Sequence, residues 1–110
     1  FFGVEPVSER VVVDRNRITG AGVTSGIDFA LALMAQLFGD ERAKAVQLMI
    51  EYDPAPPFAG GSPSSASNET IAAVKAVTDG FQAKREEVSR RAAAALGTMT
   101  ETSAIEKGTV

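Results

Sequence analysis

The chain has 110 residues, a formal net charge of −3 and neither cysteine nor histidine. That length is enough for one small domain and not for two, and a hydrophobic content of 45% supplies a packed core rather than global disorder. The acidic balance argues against a nucleic-acid footprint, which needs clustered Lys and Arg. The lack of Cys and His removes disulfides, Cys/His zinc sites and any Cys–His or Ser–His catalytic pair within the chain.

No apolar run approaches the ~18 residues that a bilayer crossing takes. No basic segment precedes an apolar one, so no signal peptide is visible. A start at Phe1-Phe2 without an initiator Met reads as a processed, cleaved or truncated product.

In chain order, the β-branched run Val11, Val12, Val13 is followed by the polar residues Asp14, Arg15, Asn16 and Arg17, then by Ile18 and Thr19. A β run, a turn containing Asp and Asn, and a second β run predict a hairpin, which ends at Gly20, Ala21 and Gly22. Residues 22–39 predict a helix. Thr24 or Ser25 stands at its cap, and Ser25 with Asp28 three residues on resembles a capping box. The apolar residues Ile27, Phe29, Leu31, Leu33, Met34, Leu37 and Phe38 fall on every face, so the helix is expected to be buried nearly all round. Gly39 suits the left-handed position that closes it.

Asp40 is the expected cap of a second helix, running to about Tyr52 and ended by Asp53-Pro54. Residues 54–67 carry four of the five prolines and read as a loop without regular structure. A third helix starts near Ser67 or Asn68. Ile71, Val74, Phe81, Val88, Ala92 and Ala95 recur along it at helical spacing. Its other face is charged, with Glu86-Glu87 four residues before Arg90-Arg91 for ion pairing, and Asp79-Gly80 is a point of weakness or kinking. Two short strands cannot cover both the apolar helix and the inner face of the long one, so the pattern implies a sheet that these residues do not contain.

The stretch VVVDRNRITGAGVTSGIDFALALMAQLFGDERAKAVQLMIEYDPAPPF resembles the C-terminal region of the PfpI superfamily, which is class I glutamine amidotransferase-like. The shared features are a strand pair leaving through Ile18-Thr19, a Gly-rich turn, and a helix opening Gly26-Ile27-Asp28-Phe29-Ala30-Leu31. A second helix opens just after Phe38-Gly39. The continuation IEYDPAPPFAGGSP resembles the isonitrile hydratases in particular. The likeness covers residues 2–63 and, more loosely, the long helix. The helix pattern alone is also similar to sensor domains of AraC-type transcription regulators.

The resemblance implies an α/β fold: the C-terminal part of a flavodoxin-like three-layer sandwich, a β-hairpin followed by helices. Residues 1–97 would form that portion and 98–110 a disordered tail. It further implies a lyase that converts an isonitrile plus water to an N-substituted formamide through a cysteine thioimidate. The nucleophilic Cys and its activating acid would lie upstream of this chain, which alone would be inactive. No metal or organic cofactor is implied. The implied partners are the isonitrile, the N-terminal portion of the same protein and a second copy in a cytoplasmic homodimer, with no nucleic acid and no membrane. The alternative is a ligand-sensing or dimerisation domain of an AraC-type regulator, which would require a downstream helix-turn-helix.

Two segments are candidate site residues. Residues 20–26 are a strand end feeding a helix N-terminus, where free N–H groups and the positive dipole end favour a nearby thiolate or developing anion. By the resemblance, Gly22, Val23 and Thr24 line the substrate pocket, although Ala21 stands where the family commonly has glycine. The same residues also read as a plain capped helix start. Tyr52-Asp53 is the second segment, and by the resemblance Asp53 reaches the pocket or the dimer partner. Asp53 also reads as a helix-terminating residue bonded to its own loop.

Overall fold

The expected hairpin is present in a computed structural model of the chain, which describes residues 1–97. Strand β1 (Val11–Asp14) pairs antiparallel with β2 (Arg17–Gly20), with Val11 opposite Gly20 and Asp14 opposite Arg17. The ladder gains one further bond, from the Ala21 N–H to the Arg10 carbonyl at 3.0 Å. The β-branched residues of β1 favour this pleated, half-buried setting. Arg15, rather than Asp14 or Asn16, takes the left-handed turn position, with φ 55°.

These strands open a compact unit that spans Pro6–Ala55. A short 3-10 turn, Val23–Ser25, runs directly into helix α1 (Gly26–Phe38). Helix α2 (Asp40–Met49) follows after one residue and packs on α1. Gly39 makes this junction at φ 90° and ψ 157°, a conformation open to glycine and strained for any residue with a Cβ. It is therefore not the left-handed closing residue expected. It serves both helices at once, its N–H bonding the Ala35 carbonyl at 2.9 Å and its carbonyl receiving the Ala43 N–H at 3.3 Å.

Two capping expectations are overturned. Asp40 lies inside the first turn of α2, and Gly39 occupies the cap with no side-chain bond; Asp40 and Glu41 instead face the positive end of the helix dipole. The Ser25–Asp28 capping box does not form. Ser25 is already helical, at φ −72° and ψ −6°, so its hydroxyl turns back and donates to the Gly22 carbonyl at 2.6 Å. Asp28 is taken by charged and phenolic donors from elsewhere.

Helix α2 ends at Met49, short of Tyr52, and the reason is local. The Glu51 N–H bonds the Leu48 carbonyl at 3.1 Å and the Tyr52 N–H bonds the Gln47 carbonyl at 3.0 Å, with Glu51 at φ 51°. That bond pair and the left-handed residue make a Schellman closure. Asp53-Pro54 therefore follows a helix that has already stopped.

The buried residues of this unit are Ser25 and Ala43; Val11, Val12, Ile18, Phe29, Leu31, Met34 and Val46 are half-buried. The expectation that α1 is buried nearly all round is not met within the chain. No residue of α1 is buried, and Ile27, Leu33, Leu37 and Phe38 are exposed. One side of α1 meets α2 and the hairpin, and two short strands and one short helix have no more surface to offer.

The second unit combines Phe1–Glu5 with, among the described residues, 56–97. Helix α3 (Asn68–Ala95) is capped by Ser67, whose hydroxyl accepts from the Thr70 N–H at 3.2 Å. The helix runs unbroken through Asp79-Gly80, and Glu86 pairs with Arg90 at 2.9 Å as the spacing predicts. Near its end Ala93 is fully buried and the Arg90 guanidinium lies 5.0 Å from the centre of the Phe1 ring. The expected tail, 98–110, lies outside the described residues.

Candidate functional site

The strand-to-helix turn is closed by backbone bonds of its own. Within it the Ser25 N–H bonds the Gly22 carbonyl at 2.9 Å, and the Gly26 N–H bonds the Val23 carbonyl. The N–H groups of Val23 and Thr24 open the helical run, so they have no acceptor inside it. The Val23 side chain is fully exposed. Gly20 lies directly beneath the turn: a Cβ built there would come 2.9 Å from Ser25 Oγ. Only glycine lets β2 pass this close.

Three side chains, one on α1 and the others flanking β1 and α2, meet beside the turn. Arg10, just before β1, directs Nε to Asp28 Oδ2 and Nη2 to the Thr24 carbonyl at 2.7 Å, with Thr24 Oγ1 at 3.4 Å. Asp28, in the first turn of α1, accepts on its other oxygen from the Tyr52 hydroxyl at 2.8 Å. Tyr52 reaches it from the end of α2, where Gln47 Nε2 donates to the Tyr52 carbonyl at 3.1 Å. The Arg10 guanidinium, and after it the Tyr52 hydroxyl, holds the Asp28 carboxyl below the usual carboxylate range. Asp28 in turn raises Arg10, so the pair is fully charged at neutral pH.

Of the sequence candidates, Gly22, Val23 and Thr24 lie together in the turn, and Thr24 is bound by the cluster. Asp53 is outside it. Its N–H bonds the Glu51 carbonyl at 2.9 Å, and it lines an open concavity with Lys44, Gln47, Leu48 and Glu51. Its neighbour Tyr52 carries the contact instead. Sequence reasoning missed Arg10 and gave Asp28 the wrong task. Tyr52 is the only tyrosine, which was the one available signal; nothing local marks Arg10. Chemically, the cluster holds no nucleophile. It can fix the orientation of the turn that carries the Val23 and Thr24 amides.

Comparisons with known proteins agree on the setting. The isonitrile hydratase of Pseudomonas putida is 46% identical over 94 residues, covering 86% of this chain and 41% of that protein. A solved THiJ/PfpI family protein from Pseudomonas syringae is 48% identical with a TM-score of 0.71, over 74% of this chain and 34% of that one. No family model matches the chain. The chain thus spans less than half the length of the curated relative. Its fold is the flavodoxin-like α/β fold of the solved relative, and a hairpin followed by helices is consistent with a C-terminal portion of it.

Proposed function

From the premise that the chain is an isonitrile hydratase-like member of the THiJ/PfpI family, present over part of its relatives' length, we propose that it is the pocket-bearing C-terminal part of a lyase that hydrates isonitriles. The observation that carries this is the 46% identity across 94 residues, a stretch long enough to include the strand-to-helix turn, α1 and α2.

The nucleophile is a cysteine thiolate supplied by residues that this chain does not contain, with an acid from the same portion activating it. The thiolate attacks the terminal isonitrile carbon, which takes a proton to give the N-substituted thioimidate. Water then adds to that carbon, the C–S bond breaks, and the N-substituted formamide leaves with the thiol restored. Gly22, Val23 and Thr24 line the pocket. The Val23 and Thr24 amides face the thiolate and the charge that develops on attack, where fixed dipoles stabilise an anion without reorganising. No metal or organic cofactor enters this chemistry. The proposal includes a cytoplasmic homodimer; among the described residues no helix is long and apolar enough to cross a membrane. The regulator alternative has less support, because the curated likeness is to an enzyme.

The test is formamide production from a simple alkyl isonitrile. The whole protein is expected to turn over and residues 1–110 alone are expected to be silent. Turnover by the isolated chain, or none by the whole protein, overturns the proposal.

A further inference from the structure

Side chains flanking β1 and α2 meet at one carboxylate of α1, and one of them also binds the pocket turn. The Tyr52 hydroxyl at the end of α2 binds Asp28 Oδ1, Arg10 before β1 binds Asp28 Oδ2, and the same guanidinium binds the Thr24 carbonyl at 2.7 Å. A planar guanidinium can hold a carboxylate with one donor and a carbonyl with another, in fixed relative directions. Because the peptide is planar, holding the Thr24 carbonyl fixes the plane of the Thr24–Ser25 peptide. The Ser25 N–H of that plane closes the turn on the Gly22 carbonyl at 2.9 Å, so the two bonds together restrain the backbone between them that carries the Val23 and Thr24 amides. The far end of the chain of bonds is equally constrained. Glu51 in the left-handed region and the paired bonds between Gln47 and Tyr52 set where the tyrosine ring leaves α2.

We propose that Arg10, Asp28 and Tyr52 are positioning residues, a relay from the end of α2 to the Thr24 peptide that holds the amides of the 22–24 turn in register for the reaction. This rests on the pocket assignment made above. None of the three touches the reacting atoms; each acts through the next, and the last acts through the Thr24 carbonyl.

The experiment uses the whole protein with Arg10→Lys, Arg10→Gln and Tyr52→Phe, and with Ala43→Gly as a destabilised control. Two readouts are taken: amide hydrogen exchange over residues 22–25, and kcat and KM for an alkyl isonitrile. A lysine keeps the charge opposite Asp28 but cannot hold both acceptors in a fixed fork. Arg10→Lys is therefore expected to melt near the wild type, yet to exchange faster over 22–25 and to lose about tenfold or more in kcat, with KM little changed. Arg10→Gln is expected to lose more, and Tyr52→Phe less. Ala43→Gly is expected to melt earlier with exchange at 22–25 and kinetics unmoved. The relay is overturned if Arg10→Lys matches the wild type in exchange, or if Ala43→Gly shifts exchange at 22–25 as much as the arginine variants. Faster exchange in a wild-type protein that does not hydrate isonitriles keeps the relay and removes the functional proposal on which its purpose rests.

Discussion

At Gly20 an added methyl would sit 2.9 Å from Ser25 Oγ and 3.6 Å from the Phe29 ring. Ser25 cannot simply swing away, since it is 2% exposed and its hydroxyl is bonded to the Gly22 carbonyl. Gly20→Ala is therefore expected to destabilise by about 1–3 kcal/mol, read as a lower denaturation midpoint of the whole protein. An unchanged midpoint would mean that the turn yields without cost. Glu51 is the opposite case. It holds φ 51° at a position where a side chain costs roughly 1–2 kcal/mol, whereas glycine costs roughly 0.5–1 kcal/mol through unfolded-state freedom. Glu51→Gly is expected to stabilise by about 0.5 kcal/mol, measured in the same melts; a loss of stability would show that the Glu51 side chain contributes a contact of its own.

The residue before β1 and the first turn of α1 are joined by an ion pair that titrates. Asp28 sits below its ordinary value because Arg10, and then Tyr52, bonds its charged form. A depressed acid contributes stability that is complete above the unfolded value of about 3.9 and is lost as pH falls through the lower folded value. Acid should thus release the turn from α1 only below pH ~4. An NMR titration of the Asp28 carboxyl carbon checks this. Its midpoint is expected to rise towards the ordinary value in Tyr52→Phe, and further in Arg10→Gln, because arginine is the larger cause. A midpoint indifferent to Arg10 would refute the assignment. The Arg10 and Asp28 side chains are 53% and 29% exposed, so high salt should shrink the difference between wild type and Arg10→Gln.

The hairpin was legible in the sequence because β propensity and turn chemistry act within ten or so residues. The long helix and its start near Ser67 or Asn68 were legible for the same reason. The stop of α2 was misplaced: a Schellman closure needs a left-handed residue, and Glu51 does not advertise one as glycine would. The 22–24 turn entered through family likeness. Arg10 stayed hidden because its partner Asp28 is 18 residues away and Tyr52 is 24 from Asp28, separations at which no periodicity reports contact.

Among the described residues, burial is scarce. Ala43, Ala93 and Ser25 are the buried residues among those described, while Leu37, Phe38, Leu48, Met49, Val77 and Phe81 stand largely exposed. Apolar surface on that scale seeks a partner. The isolated 110-residue chain is expected to associate with rising concentration in sedimentation experiments and to bind an apolar dye. A monomer with a sharp cooperative melt would show that the chain needs no further walls.

The sequence by itself determined the order of elements, the apolar character of α1 and the absence of a thiol or imidazole nucleophile, since these follow from composition and from spacing along the chain. Only the tertiary structure decided which donor takes Asp28. Within a helix start, a nearby backbone N–H and a distant guanidinium compete for the same carboxylate. The charged donor wins once folding brings Arg10 alongside, because a charge-assisted bond is the stronger of the two.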